Sequence, residues 1–165
     1  MSAQTKIAWC DSTLNPWRGC DKVSAGCANC YITTTTPFRV SGQKHGDPRI
    51  KIESFVKNAL AFNRKPLICD ECGGAFKDNL TSHIRADGKD ADKYCCTGKS
   101  YHRRRIFSLS LGDWLDDEVP IDWLAEMLDT IRQCDQVTWI LCTKRPQNWK
   151  DRITKVYSGD LATIP

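Results

Sequence analysis

The chain has 165 residues, 41% of them hydrophobic and 27% charged, and a net charge of +4. That is apolar matter for one domain with a small insertion, and the slight basic excess permits an acidic partner without requiring one. No apolar run approaches the ~20 residues that cross a bilayer, and the opening "MSAQTKIAWCDS" lacks a signal peptide's apolar stretch, so a cytoplasmic protein without membrane contact is expected.

Taken in chain order, a short strand is predicted around Lys6–Trp9. A turn-rich loop, "NPWRGCDKVSAGCANCY", follows and carries Cys20, Cys27 and Cys30. A helix is expected from about Ala28, weakened by the β-branched run Thr33–Thr36. "VSGQKHGDPR" reads as loop, broken by Gly42, Gly46 and Pro48. In "IKIESFVKNALAFNRK" the residues Ile52, Phe55, Val56, Ala59, Leu60 and Phe62 fall mostly at helical spacing, and Pro66 ends the run.

From Cys69 to about Tyr101 the texture turns to Gly, Asp, Lys and Cys with little periodicity, as in an inserted module. Regular structure resumes at "RRRIFSLSLGDW", where Phe107, Leu109 and Leu111 alternate with Ser108 and Ser110 as in a strand. In "VPIDWLAEMLDTIRQC", Ile121, Leu124, Leu128 and Ile131 make one helical stripe, with Pro120 suited to the first turn. A strand, "QVTWILCT", and a helix from about Pro146 to Tyr157 complete a strand–helix–strand–helix order, the pattern of a parallel α/β unit. Trp139 alternates with Val137 and Leu141 and is assigned to packing. The division expected is residues 1–66 as the first part of an α/β domain, 67–102 as the insertion, and 103–165 as its continuation.

Ten cysteines in a reducing compartment point to metal or redox chemistry and not to disulfides. Cys20, Cys27 and Cys30 are spaced C-x6-C-x2-C. Three thiolates suit a four-iron four-sulfur cluster that leaves one iron open, since the usual cluster takes four cysteines. A structural zinc site would need a fourth ligand, which Cys10 could supply. Spacing alone leaves both readings open.

"TKIAWCDSTLNPWRGCDKVSAGCANCY", "RRRIFSLSLGDWLDDEVPIDWLAEML" and "WILCTKRPQNW" resemble an uncharacterised, largely phage-borne family related to the radical S-adenosylmethionine enzymes, with spore photoproduct lyase as distant kin. The likeness skips the insertion. It implies a partial radical-enzyme-type β/α barrel in which Cys20, Cys27 and Cys30 hold the cluster, Tyr31 is the aromatic after the last cysteine, and Cys10 is a bystander. The first gap is six residues where the common radical motif has three. The resemblance further implies that S-adenosylmethionine chelates the open iron, and that reduction cleaves its sulfonium to a 5′-deoxyadenosyl radical. A phage origin would place the protein in the host cytoplasm.

Parallel barrels gather reactive groups at the C-terminal ends of their strands. On that reading Ser110, Gly112 and Asp113 after one strand, and Thr143, Lys144 and Arg145 after the next, line the cofactor site. Gly112 would admit a close backbone approach, Asp113 would accept from a cofactor amine or ribose, and Lys144 and Arg145 would hold an anionic group. The bland alternatives are a turn-capping Asp113 and a solvated basic loop.

Within the insertion, "CDECGG" puts Cys69 and Cys72 in a zinc-knuckle pattern. Cys95 and Cys96 form an awkward far half, because consecutive side chains of a strand diverge. His83 and His102 are possible replacements. The run "KSYHRRR", with Lys99, Arg103, Arg104 and Arg105 around Tyr101, is compatible with nucleic-acid contact but more ordinarily marks a solvated face.

Two functions therefore stand against each other. One is a phage-type radical S-adenosylmethionine-like iron–sulfur protein of unknown substrate, with weak turnover if the barrel is only half built and relies on a partner chain or a missing half. The other is a non-catalytic zinc-binding module that contacts nucleic acid or a partner protein.

Overall fold

A computed structural model describes residue 5, residues 7–76, 83–84 (backbone) and 100–158. The chain opens with β1 (Ser12–Leu14) and β2 (Trp17–Arg18), then two 3-10 turns at Ala25–Cys27 and Tyr31–Thr34. Helix α1 (Thr36–Ser41), strand β3 (Ile50–Lys51) and helix α2 (Phe55–Asn63) follow. Next come four short strands, β4 (Leu67–Cys69), β5 (Ala75–Phe76), β6 (His83–Ile84) and β7 (Tyr101–Arg103). The last part is β8 (Arg105–Ser108), α3 (Ile121–Gln133), β9 (Thr138–Leu141), a 3-10 turn at Pro146–Asn148 and α4 (Trp149–Ser158).

The protein is a mixed α/β structure built on a parallel sheet of order β1-β8-β9. Ser12 lies beside Ile106, and Ile106 beside Trp139. The described strands form an open sheet and not a closed barrel. Leu14 and Ile106 face a core shared with α2, α3 and α4, where Leu115, Leu124 and Met127 are fully buried. Burying a side chain such as Leu124 contributes about 1.5–3 kcal/mol.

Several expectations are corrected. The first strand is Ser12–Leu14 and not Lys6–Trp9; Trp9 stands in a turn, 47% exposed and tilted against the Phe107 ring, while Lys6 lies outside the described residues. The helix from Ala28 is replaced by the two 3-10 turns and the short α1, consistent with its β-branched run. The strand expected to run through Leu111 stops at Ser108, because Leu109 takes the left-handed conformation with φ 63°. On α3 the apolar stripe is rotated: Leu124 and Met127 are buried, Leu128 and Ile131 partly so, and Ile121 is exposed. Trp139 does pack into the core, its indole N–H donating to Cys134 O at 3.1 Å.

The strands of the expected insertion form a separate antiparallel sheet of order β6-β5-β4-β7. His102 ties it to the parallel sheet: Nδ1 is 2.5 Å from Asp70 Oδ1 and Nε2 is 3.0 Å from Asp11 Oδ2. Arg105 grips the same Asp11 with its backbone N–H at 2.7 Å and its guanidinium at 2.9 Å. Arg104 is buried, donating to Ser12 Oγ at 2.9 Å over the Phe62 ring. Within the basic run Arg104 turns inward, Arg105 is held by Asp11 and Arg103 is exposed; Lys99 lies outside the described residues.

Candidate functional site

A cavity of about 230 Å³ opens beyond the C-terminal ends of β8 and β9. Cys20, Cys27 and Cys30 line it from the N-terminal loop, Ser110, Gly112 and Asp113 from the β8 end, and Cys142, Thr143, Lys144 and Arg145 from the β9 end. Two larger clefts, of about 710 and 960 Å³, carry no cysteine. The smaller cavity is therefore the one with chemistry.

The cysteine loop is fixed against the sheet by backbone contacts. Gly19, at φ 116°, donates to Leu111 O at 3.0 Å. Opposite it, a Cβ on Gly112 would stand 3.2 Å from the Gly19 carbonyl and 3.2 Å from the Trp17 indole nitrogen. A side chain at Gly112 would therefore crowd the place where the loop closes on the sheet. The Tyr31 hydroxyl donates to Ser110 O at 2.9 Å, and Asn15 exchanges hydrogen bonds with the Ser110 side chain and accepts from Leu111 N–H. Leu109 holds its left-handed backbone in the cavity wall, a strain of about 1–3 kcal/mol of the kind concentrated at functional sites.

Asp113 is a buried anchor of the β9 loop and not a free acceptor. Its Oδ1 accepts from Thr143 Oγ1 at 2.7 Å and Leu115 N–H at 3.0 Å, and its Oδ2 from Lys144 N–H at 2.7 Å. The Leu115 N–H bond to Oδ1, two residues on, is the one that the turn-capping reading of Asp113 expects. Arg145 is also buried, so the solvated-loop reading fails for it. Its Nη1 lies 3.5 Å from Cys20 Sγ and 3.4 Å from Asp113 Oδ2, and its Nη2 donates to Asp21 O at 3.1 Å. Behind it, Asp116 is held bidentately by Arg49 at 2.7 and 3.1 Å. Lys144 is exposed, with Nζ beside Gly26.

The thiols differ. Burial pushes Cys20 up, more than the bond and charge of Arg145 pull it down. For Cys27 burial is opposed, and outweighed, by hydrogen bonds from the backbone at Val23, the Ser24 hydroxyl and the Ser24 backbone, with Lys144 adding its charge; its pKa is lowered. Cys10 is buried, is held up by burial and the Asp11 charge, and is not in the cavity lining. Among the described residues no group of three or more His, Cys, Asp or Glu side chains is arranged to hold a metal ion.

In the insertion, Gly73 at φ 68° donates its N–H to Cys69 O, and Cys69 N–H donates to Gly74 O, the tight turn a knuckle needs. Both ring nitrogens of His102 face carboxylates. Cys95, Cys96 and the His83 side chain lie outside the described residues. None of the eight described cysteines is in a disulfide.

Sequence reasoning missed Cys142, a fourth thiol in the cavity lining, and His45, which lines it too. The His45 Nδ1 lies 3.1 Å from Cys20 O. The alternation Trp139–Leu141 against Ile140–Cys142 was a usable signal for Cys142; nothing local marked His45.

Fold and site define a small α/β protein with a cysteine-lined pocket at the C-terminal ends of parallel strands. The chain belongs to the DUF5131 family, described as a protein of unknown function, whose profile matches residues 4–160. No curated protein and no solved structure matches it. Among the described residues, no helix is long and apolar enough to cross a membrane.

Proposed function

We propose that this is an iron–sulfur protein of the radical S-adenosylmethionine type, with phage-borne kin. The observation that carries the reading is that Cys20, Cys27 and Cys30 share one cavity with the ends of two parallel strands. Three cysteines and no fourth ligand from Cys10 suit a cluster with one iron left for a small molecule. The open parallel sheet suits a partial barrel of the radical-enzyme kind, which delivers strand ends to one face.

When bound, the cluster and S-adenosylmethionine would supply one-electron cleavage chemistry at the sulfonium. The chain's own residues position and shield. Cys20, Cys27 and Cys30 would hold the cluster, Arg145 donates toward Cys20, and Tyr31 fixes the loop to Ser110. Lys144, exposed at the rim, is free to meet an anionic group. Thr143 and Asp113 act together to hold the β9 loop in register with the cavity. A zinc ion at Cys69 and Cys72 would stabilise the insertion, which is too small to bury a core of its own.

The test is anaerobic reconstitution followed by iron, sulfide and zinc quantification. About four irons and four sulfides per chain, lost in the Cys20→Ala, Cys27→Ala and Cys30→Ala variants, with binding of S-adenosylmethionine, support the reading. Zinc alone under iron-replete conditions removes it.

A further inference from the structure

The imidazole of His45 occupies a built position. Gly42 and Gly46, at φ 70° and 84°, shape the turn that carries it. Asp47 Oδ2 accepts the Lys44 N–H at 2.6 Å, and the Gly46 N–H donates to Cys20 O at 3.3 Å. The turn is thus folded directly onto the first cysteine of the cavity. His45 Nδ1 lies 3.1 Å from that same carbonyl oxygen. A carbonyl only accepts, so Nδ1 carries the ring proton and Nε2 is left with a lone pair. That Nε2 is buried and has no hydrogen-bond partner, in a side chain that lines the cysteine cavity.

A buried, unpartnered nitrogen destabilises the fold unless something satisfies it. The pattern of one ring nitrogen donating to a backbone carbonyl while the other is held ready is the arrangement of metal-ligating histidines. We infer that His45 Nε2 is a fourth protein ligand of the metal centre held by Cys20, Cys27 and Cys30, bound to the iron that the cysteines leave open. The inference rests on the iron–sulfur reading above and adds a resting state to it. In that state His45 Nε2 would hold the fourth iron, and it would give up that place to S-adenosylmethionine when the cofactor binds.

Cys142, in the same lining, is the competing fourth ligand, and the experiment separates the two.

The experiment is pulsed electron paramagnetic resonance on the reduced, reconstituted protein, made with natural and with ¹⁵N-labelled histidine. A directly bound nitrogen coupling that changes with the label is expected. It is expected to be lost in His45→Ala and His45→Gln while iron and sulfide stay at wild-type levels, and to be unchanged in Cys142→Ala. Circular dichroism checks that the variants fold. Added S-adenosylmethionine is expected to abolish the histidine coupling in the wild type. A wild-type cluster with no nitrogen coupling, or a coupling that survives in both His45 variants, overturns the assignment and leaves the iron–sulfur reading standing. A wild-type protein that retains no iron overturns both. A coupling that persists with saturating S-adenosylmethionine overturns the displacement and supports His45 as a permanent ligand.

Discussion

Arg145 Nη1 sits 3.5 Å from the Sγ of Cys20, and both side chains are tied to one buried charge ladder that runs on through Asp116 to Arg49. The guanidinium is nearly inaccessible, at 2%, so its removal would strand Asp113 and Asp116 with fewer positive neighbours. Arg145→Ala is expected to destabilise the protein by about 3–5 kcal/mol, the cost of breaking a buried pair from one side. Cys20, already raised by burial, should rise further without its donor. Denaturant midpoints and the pH dependence of alkylation at Cys20 check both effects. Arg145→Lys keeps the charge but not the fork, and an intermediate result is expected.

Gly112→Ala tests the contact that closes the loop on the sheet. The new methyl would press on a backbone carbonyl and a buried indole, neither of which moves freely. Overpacking of this kind costs about 1–3 kcal/mol. The variant should also hold iron less well, because the displaced segment is the one that carries Cys20. Thermal unfolding and metal retention are the measurements.

Acid should loosen the joint between the two sheets. The Asp11 pKa is lowered: burial works to raise it, but the hydrogen bonds from Arg105 and His102 outweigh that effect. A carboxyl depressed in the folded state contributes its stability above the unfolded value, 3.8. That contribution is lost as the pH falls from there through the lower folded value. Asp11→Asn should therefore be less stable than the wild type at neutral pH, with the difference shrinking below about pH 3.8. Paired denaturation curves at pH 7 and pH 3 would show it.

The insertion should depend on metal more than the parallel sheet does. Chelator treatment, or Cys72→Ser, is expected to raise protease sensitivity within residues 67–103 while the α3–β9–α4 unit stays protected. Equal loss of protection in both parts would oppose a local zinc site.

Much of the framework was legible before the structure. The parallel unit around α3 and β9 follows from periodicity, and the three cysteines were marked by spacing. What the sequence hid was conformational or long-range. Leu109 looks like a strand residue by alternation, and only its positive φ shows that the strand has already ended. The burial of Arg104 and Arg145 is invisible in a chain where basic runs usually face water. His45 matters through a turn that meets Cys20 from the far side of α1, a relation no local pattern encodes.

The pairing of β1 with β8 sets an order on assembly. Ser12 meets Ile106 across more than half the chain, and the entropy of closing so long a loop makes such contacts late ones. The pairing of β8 with β9 around α3 closes a much shorter stretch of chain and can form first. Until β1 docks, Cys20, Cys27 and Cys30 stand on an unanchored loop, away from the strand ends that complete their cavity. Metal captured at that stage would meet loose thiols without Arg145 or Tyr31 to orient the loop. Loading is therefore expected to follow folding, and a chain that meets iron too early should refold slowly and with the wrong ligands.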